Sequence, residues 1–576
     1  MVNKIIDKGR KILFSPQSSV LSAATTIMIM VMASRILGLV RQRVLVHFFT
    51  PSELSLFFAA FRLPDLVFEI LVFGTFSSAF IPVFTKALKK GHKDAWEIAG
   101  TITNIGLLAF VVLAGIVILF ANNLYGVLAP GFSIEHRGQI VMLTRILFAA
   151  QGFFVVSYVL TAVLESSRRF LLPALAPLLY NLGIILGTLI LAPKFGLYAP
   201  TIGVVIGAAS HFLIQLPLAI KLGYRFTFRV RLSEDVKKIG RLALPRVIEV
   251  SFLQIVKSVE LLLASLISTA SYTYYTFGNT LQLLPVGLFG TSIAKAALPT
   301  LSRQSESPEE FRRTLFGALY QIAFLVLPVA TVLVVLRIPL VRLIFGTDIF
   351  SWEATVQTGM VVSAFALGIF FQAAAALLAR GFYALHDTRT PVVISLSAIT
   401  LNIVADFILI KGFGLPAWGL AAAFSLGSFI QATSLFVMLN RKIGDGMGFR
   451  AIKPIVKSAL ASFGSGAVMY FILKVFDRSV WVKRLSFLGR LEGVRTIAFE
   501  KFVLDTRYTV NLLVLTTFVV FVGALVYLGL SLLFKSKELS YFTFLVRRMI
   551  VGRKAEPIPA KETEPVTPTP GDSTTP

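Results

Sequence analysis

Residues 20–46 read VLSAATTIMIMVMASRILGLVRQRVLV, an apolar run that contains three arginines near its end. A membrane-spanning helix needs about 20 mostly apolar residues, so this run is long enough to cross a bilayer. It is too long for the apolar core of a secretory signal peptide, and no clear cleavage site follows it. We therefore expect it to be the first membrane span.

Similar apolar runs recur along the whole chain. Of its 576 residues, 56% are hydrophobic and 15% are charged, whereas a soluble domain averages roughly 25% charged residues. The period-two alternation of a membrane barrel is missing. The sequence predicts an all-α integral membrane protein with about fourteen spans. They are residues 20–46, 54–86, 97–121, 139–166, 172–192, 197–220, 242–268, 272–300, 314–336, 355–385, 391–411, 416–440, 454–475 and 509–534.

The net charge of +26 is concentrated between these spans. Before span 13, the short loops on one side hold 26 Lys and Arg residues and those on the other side hold 7. Because basic loops stay in the cytoplasm, both termini are predicted to be cytoplasmic. We interpret the charge as a topology signal that faces anionic headgroups, rather than as a nucleic-acid surface. The basic segment 476–508 is the exception, and it could hold an interfacial helix.

The chain also contains an internal repeat. Phe73-Gly74-Thr75 recurs as Phe289-Gly290-Thr291, Phe195-Gly196-Leu197 recurs as Phe413-Gly414-Leu415, and Pro173 recurs as Pro391, at offsets of 216 to 218 residues. Each offset covers six spans, an even number, so the two copies have the same orientation in the membrane. The predicted organisation is a cytoplasmic N-terminus (1–19), an N-lobe (20–220), a basic cytoplasmic linker (221–241), a C-lobe (242–440), spans 13 and 14 with a long outer loop (454–534) and a disordered cytoplasmic tail (555–576).

Charged residues interrupt the first two spans. Arg35 and Arg41 lie in span 1, and Arg62, Asp65 and Glu69 lie in span 2. Each charge at the bilayer centre costs about 2.5–3.5 kcal/mol on insertion scales. The arginine fork fits phosphate oxygens, so these arginines are candidates for binding a phosphorylated headgroup in a central cavity. In the alternative, Arg41 reaches the outer interface and Arg62 pairs with Asp65 or Glu69.

A second polar set lies on span 7. Arg246, Glu249, Lys257 and Glu260 fall within an arc of roughly 80° on a helix. Such a stripe faces either a water-filled cavity or its own partners. Lys257 is therefore a candidate for headgroup binding. The alternative is a pair of internal salt bridges, Arg246 with Glu249 and Lys257 with Glu260.

A third polar set lies on span 11, where Asn402 and Asp406 share one helix face. With Glu260 they could bind a small cation such as sodium, or a proton that couples transport to an ion gradient. The alternative is one buried acid paired with a lysine such as Lys295. The absence of cysteine excludes disulfides and thiol catalysis. No hydrolase or nucleotide-binding motif is present, so we expect a transporter without a cofactor rather than an enzyme.

Several motifs resemble those of the MurJ (MviN) family of lipid II flippases, within the multidrug/oligosaccharidyl-lipid/polysaccharide exporter superfamily. The resemblance covers about residues 20–535. The motifs are ASRILGLVR at 33–41, FFAAFRLPDL at 57–66, GTFSSAFIP at 74–82, APGF at 129–132, GFY at 381–383 and DTRTP at 387–391.

The resemblance implies a flippase that moves undecaprenyl-pyrophosphate-linked peptidoglycan precursor across the bacterial inner membrane for cell-wall synthesis. It matches Arg35 and Arg41 to the family's cavity arginines. It places Glu260, Asn402 and Asp406 where some relatives have a sodium site. Spans 13 and 14 would border a groove for the lipid tail. The expected partners are the lipid-linked substrate, membrane lipids and cell-wall synthesis proteins; no nucleic acid is expected, and the chain is expected to be a monomer.

The sequence departs from the family at four positions where charges are expected, namely Ser55, Phe68, Phe73 and Thr280. Glu69, Lys257 or Lys295 could compensate. The departures leave two other functions open. One is an exporter, either of another polyprenyl-pyrophosphate-linked oligosaccharide or of drugs in exchange for a cation. The other is a membrane scaffold that does not transport.

Overall fold

The computed structural model describes residues 20–73, 79–444, 452–476 and 509–539. The predictions for the N-terminus, the loop 477–508, the motif at 74–78 and the tail lie outside the described residues. The described part is helical and contains no strand. We number the helices α1 to α14 after the predicted spans; several consist of more than one segment.

The N-lobe contains α1 to α6. Their bounds are Val20–Phe48 for α1; Pro51–Ala60, Arg62–Phe68, a π-helix at Glu69–Phe73 and Ile81–Lys90 for α2; His92–Leu128 for α3; Ile134–Ser166 for α4; Leu171–Phe195 for α5; and Tyr198–Leu213 with Leu216–Lys221 for α6.

The C-lobe contains α7 to α12, and two further helices follow it. Their bounds are Glu234–Ile267 for α7; Ser271–Pro285, a π-helix at Val286–Gly290 and Thr291–Arg303 for α8; Pro308–Val335 for α9, followed by a short helix at Arg337–Phe345; Trp352–Ala384 for α10; Arg389–Phe407 with a π-helix at Ile408–Gly412 for α11; Trp418–Ile443 for α12; Lys453–Phe476 for α13; and Thr509–Leu533 for α14.

Twelve helices of the described part, α3 to α14, are long and apolar enough to cross a membrane. The all-α membrane fold is therefore confirmed. The first two predicted spans are helical as well, but α2 carries Arg62, Asp65 and Glu69. The total of fourteen spans stays a prediction.

The backbone confirms the parallel repeat. Arg168 and His386 have positive φ angles of 57° and 58°, and Gly196 and Gly414 have positive φ angles of 52° and 64°. Both pairs are 218 residues apart, the same offset as the sequence repeat. A positive φ is uncommon outside glycine, so shared positions at Arg168 and His386 show that the two lobes turn the chain in the same way.

Glycines bring α5 and α6 into close contact. Gly183 and Gly187 of α5 face Gly203 and Gly207 of α6, so each helix presents two glycines one turn apart. A Cβ atom on Gly187 would lie 2.5 Å from the Cα atom of Gly203. In lipid, small residues let helix backbones approach and gain van der Waals contact.

Helices α13 and α14 lie against the C-lobe as an added pair. Ser465 on α13 donates a hydrogen bond to the carbonyl oxygen of Gly523 on α14 at 2.7 Å. Tyr527 on α14 donates to the carbonyl oxygen of Phe324 on α9 at 2.8 Å. The pair therefore packs on α9 and leaves the two lobes facing each other.

Candidate substrate site between the two lobes

The helices α2 and α8 change their winding at matching points. The π-helix of α2 spans Glu69–Phe73 and that of α8 spans Val286–Gly290, an offset of 217 residues. Pro285 directly precedes the second one. π-helices are rare and concentrate at functional sites, and a bent spanning helix is tolerated where it lines a cavity.

The two lobes contact each other where α2 and α8 begin, an end that we call outer after the predicted topology. Ser55 and Thr273 are fully buried, and their hydroxyl oxygens lie 2.9 Å apart. Thr347 donates a hydrogen bond to the carbonyl oxygen of Val46 at 2.8 Å. These contacts join the lobes at their outer end.

Arg35 reaches from α1 to the opposite lobe. Its Nη1 atom donates a hydrogen bond to the carbonyl oxygen of Leu283 on α8 at 3.1 Å, and the side chain is exposed. A Cβ atom on Gly287 would lie 2.6 Å from the guanidinium nitrogens. The absence of a side chain at Gly287 therefore makes room for the arginine beside the π-helix of α8.

Arg41 lies about one and two-thirds helical turns beyond Arg35 and is half-buried. Its Nε atom has no hydrogen-bond partner among the described residues, and Tyr180 on α5 is within electrostatic range. The neighbouring Arg43 donates to the carbonyl oxygens of Leu343 and Ile344, so it bridges the lobes at their outer end. Arg41 thus lies among protein side chains and keeps donor capacity unused.

Arg62 is 4% exposed, and its Nε and Nη2 atoms have no hydrogen-bond partner among the described residues. Asp65, which the alternative interpretation pairs with it, instead accepts a hydrogen bond from Gln151 on α4 at 2.6 Å. Arg62 still interacts electrostatically with Asp65 and with Glu260. The two acids that it acts on, Asp65 and Glu260, belong one to each lobe.

Glu69 and Lys257 form an ion pair between the lobes. The Nζ atom of Lys257 lies 3.2 Å from the Glu69 carboxylate, and Gln254 also donates to that carboxylate. Lys257 is ten residues before the end of α7 at Ile267, which is about 15 Å into the helix. The two side chains are 46% and 29% exposed. Exposed charges at this depth favour a water-filled cavity between the lobes.

The alternative pairing of Lys257 with Glu260 is not formed. Glu260 instead accepts a hydrogen bond from the Tyr275 hydroxyl on α8 at 2.5 Å. The pairing of Asp406 with Lys295 is not formed either: Lys295 is exposed, and Asp406 is 1% exposed. The side chains of Arg246 and Glu249 lie outside the described residues.

The structure brings Asp406 and Glu260 within electrostatic range of each other. Neither carboxylate oxygen of Asp406, nor the side-chain oxygen of Asn402, has a hydrogen-bond partner among the described residues. A buried, unpartnered carboxylate is costly unless a proton or a cation neutralises it. The described residues contain no group of three or more His, Asp or Glu side chains that could hold a metal, so a cation here would use the amide oxygen of Asn402.

Sequence reasoning missed Gln254, Tyr275 and the hydrogen bond from Gln42 to Thr280 at 3.0 Å. Gln254 falls on the same helical face as Lys257, so the polar stripe could have included it. Tyr275 and Gln42 pair with residues on other helices, and no local pattern marks such contacts.

Residues 45–489 match the sequence profile of the protein family described as lipid II flippase MurJ. The chain belongs to this MurJ family. The match covers more than three quarters of the chain and includes the whole of α2 and α8, the two helices with matching π-helices.

Similar proteins agree with the MurJ assignment. The "Probable lipid II flippase MurJ" of Haemophilus influenzae is 27% identical over 489 residues, which cover 80% of this chain and 93% of that protein. A solved structure titled "Lipid II flippase MurJ, inward closed conformation" has a TM-score of 0.71 at 24% identity, covering 90% and 99% of the two chains. A multidrug resistance MATE transporter of the MOP superfamily has a TM-score of 0.57 at 15% identity, covering 73% and 98%. The two structures support the fold.

Two of the four positions that lack an expected MurJ charge have another use in this chain. Ser55 hydrogen-bonds with Thr273, and Thr280 accepts from Gln42. Both contacts join the N-lobe to the C-lobe. At these two positions a neutral hydroxyl group stands where the family has a charge, and it makes a hydrogen bond between the lobes.

Proposed function

We propose that this chain is a lipid II flippase of the bacterial inner membrane, which moves lipid-linked peptidoglycan precursor from the inner to the outer leaflet for cell-wall synthesis. The proposal rests on membership of the MurJ family over residues 45–489. The structural observation that supports substrate binding is Arg35, whose exposed guanidinium lies between the lobes. Its fork can bind the oxygens of a pyrophosphate group.

The headgroup enters the cavity from the cytoplasmic end, since the lobes contact each other at the outer end. Arg35 binds the pyrophosphate, and Arg41 and Arg62 supply further positive charge from groups whose N–H donors are not all used. Lys257 joins them when Glu69 releases it. The lipid tail stays in the bilayer beside α13 and α14.

Transport proceeds by alternating access, in which the two lobes rock about the bound headgroup. The contacts of Ser55 with Thr273 and of Thr347 with Val46 must break for the cavity to open outward. The membrane potential, about 2.3 kcal/mol per charge per 100 mV, acts on any charge that moves with the lobes.

A cation or a proton couples to this cycle at Glu260, Asn402 and Asp406. The support is that Asp406 is buried without a hydrogen-bond partner and lies within electrostatic range of Glu260. Neutralising Asp406 changes the charge balance that Arg62 shares through Glu260. The ion therefore acts on the same lobe interface that binds the headgroup.

In this proposal both termini are cytoplasmic, and the chain works as a monomer alongside cell-wall synthesis proteins. The orientation follows from the basic loops. Each lobe supplies half of the cavity, so one chain contains a complete site.

Complementation of a bacterium depleted of its own lipid II flippase tests the function. The wild-type chain is expected to restore growth, and Arg35→Ala is expected to abolish rescue at equal expression. Arg35→Lys keeps a charge but loses the fork, so we expect partial rescue. Arg145→Ala is the matched control, because Arg145 is exposed on α4 and, among the described residues, bonds only to Met142 of its own helix.

Failure of the well-expressed wild-type chain would count against lipid II as the substrate. Native mass spectrometry of the purified chain then separates the alternatives. Binding of lipid II is expected to exceed binding of other polyprenyl-pyrophosphate oligosaccharides, and Arg35→Ala should weaken it. Equal binding of all these lipids would favour a broader exporter.

A further inference from the structure

The link between the two lobes begins with an extended segment, residues 224–233, which we call the strap. Its backbone is attached to α3. Asn104 donates hydrogen bonds to the carbonyl oxygens of Thr227 and Arg229, at 2.5 and 3.2 Å, and the Arg231 amide donates to Thr101 at 3.2 Å. The strap is thus tied to the same helix at the alternate residues 227, 229 and 231, which fixes its register.

The strap has two chemically different faces. Successive side chains of an extended chain point to opposite sides. One side carries Phe226, Phe228, Val230 and Leu232, which are 49%, 89%, 52% and 64% exposed. The rings of Phe226 and Phe228 lie 5.3 Å apart, in contact on that side. The other side carries arginines 225, 229 and 231, all exposed.

The predicted topology puts the strap at the level of a membrane surface. A hydrocarbon core about 30 Å thick takes about 20 residues of helix. Counted back from residue 121, the outer end of predicted span 3, this length ends near residue 101. Thr101 and Asn104, which hold the strap, lie at this point of α3. The strap therefore runs along the boundary between hydrocarbon and headgroups.

We propose that the strap is an interfacial anchor, with its apolar face in the inner leaflet and Arg225 and Arg229 on the headgroups of anionic phospholipids. Four neighbouring apolar side chains on one exposed face are unfavourable in water but favourable in the interfacial region of a bilayer. The cytoplasmic leaflet is anionic and attracts basic residues beside it. Arg231 is left out because it pairs with Glu97 at 3.1 Å.

The bilayer is the occupant that these observations favour over a protein partner. The strap is at membrane level. Its apolar side matches the hydrocarbon of a bilayer, and its basic side matches the anionic headgroups. Its first residue, Tyr224, is buried against Trp96 and hydrogen-bonds to Thr103, so the anchor is continuous with the N-lobe. The assignment to the inner leaflet depends on the proposed orientation, but not on the transported substrate.

Spin labels test the depth of the strap in the full chain, which has no native cysteine. Phe228→Cys and Arg229→Cys are labelled separately in nanodiscs that contain phosphatidylglycerol. The label at 228 is expected to be accessible to oxygen and shielded from a water-soluble nickel chelate. The label at the matched position 229 is expected to show the reverse. Equal access of the chelate to both labels would overturn the proposal.

Native mass spectrometry tests the lipid preference. The double variant Arg225→Gln/Arg229→Gln should retain less phosphatidylglycerol than wild type, by about fivefold for each arginine, equivalent to about 1 kcal/mol each. The control Arg303→Gln/Arg389→Gln removes the same charge from exposed positions elsewhere. An equal loss in both variants, or no loss in either, would overturn the assignment of headgroups to the strap. Both measurements are independent of flipping, so the proposed function can fail while the anchor stands.

Discussion

Ser55 near the start of α2 and Thr273 near the start of α8 come from different lobes, and their hydroxyl groups hydrogen-bond to each other at 2.9 Å. They are 218 residues apart, as are the paired turns at Arg168 and His386. A neutral hydrogen bond contributes about 0.5–1.5 kcal/mol, so this closure can break during a rocking motion.

A disulfide across this closure should stop transport. Because the chain has no cysteine, the pair Ser55→Cys/Thr273→Cys can be oxidised selectively. We expect oxidation to abolish complementation, or transport in vesicles, and a reductant to restore it, because the lobes can no longer separate at their outer end.

The matched control is Ser268→Cys/Ser271→Cys, which links the end of α7 to the start of α8 within the C-lobe, where the two hydroxyl oxygens are 2.7 Å apart. Its oxidation should leave transport largely intact. Full activity of the oxidised 55/273 pair would show that this contact is not part of the gate.

The fold could be predicted because it depends on local quantities. Long apolar runs indicate spans whatever their neighbours are, and matching tripeptides revealed the repeat. The change of winding at Glu69–Phe73 and Val286–Gly290 was not predicted. A π-helix depends on how a helix packs against its neighbours, which residue types alone do not encode.

The candidate site could be predicted only as helix faces. Spacing placed Lys257 and Glu260 on one face and allowed them to pair with each other. In the structure their hydrogen bonds go to Glu69 and Tyr275 on other helices. The pairing of the charges depends on how the helices of the two lobes pack against each other. The sequence of one helix does not contain that information.

Asp406 should make stability depend on a cation. Its carboxylate is buried without a hydrogen-bond partner, so a bound ion would stabilise the folded chain by about 2.7 kcal/mol at a concentration of 100 Kd. We expect sodium chloride to raise the thermal unfolding temperature of wild type above its value in choline chloride. Asp406→Asn should lose this rise.

The control for this experiment is Asp348→Asn, a change in the exposed outer loop after residue 345. It should keep the sodium response of wild type. An identical response in wild type and Asp406→Asn would rule out Asp406 as a sodium ligand. A response to pH without one to sodium would instead identify the coupling ion as a proton.

Gly203 should tolerate no side chain. A Cβ atom there would lie 2.8 Å from the carbonyl oxygen of Gly183 and 2.9 Å from the Cα atom of Ile184. Both are backbone atoms, so α5 and α6 would have to move apart. We expect Gly203→Ala to reduce stability by about 1–3 kcal/mol, measured as a lower unfolding temperature in detergent. Gly115→Ala on α3 is the control, because no atom of the described residues lies within 4 Å of the added atom. Equal effects of the two changes would refute the packing argument.

Asp387 should support the C-lobe through contacts with two residues at the end opposite the outer one. It accepts a hydrogen bond from Lys442 at the end of α12 at 2.6 Å and one from the Thr390 amide at the start of α11 at 3.0 Å. These donors, Lys442 first, lower the pKa of Asp387 to about 2. Because the folded pKa lies below the unfolded one of about 3.9, the stabilisation is complete above pH 4 and is lost as the pH falls towards 2.

Two substitutions at Asp387 separate the contributions of these contacts. Asp387→Asn keeps a side chain that can accept a hydrogen bond from Thr390, but it loses the ion pair with Lys442. Because the Lys442 side chain is 40% exposed, we expect this loss to lower the free energy of unfolding by about 0.2–1 kcal/mol at neutral pH. Asp387→Ala loses both contacts and should cost about 1 kcal/mol more. The measurement is the unfolding temperature in detergent between neutral pH and pH 3, with the exposed Glu306→Gln as control. The difference between wild type and Asp387→Asn should shrink below about pH 4, and a difference that grows with acidity would contradict the lowered pKa.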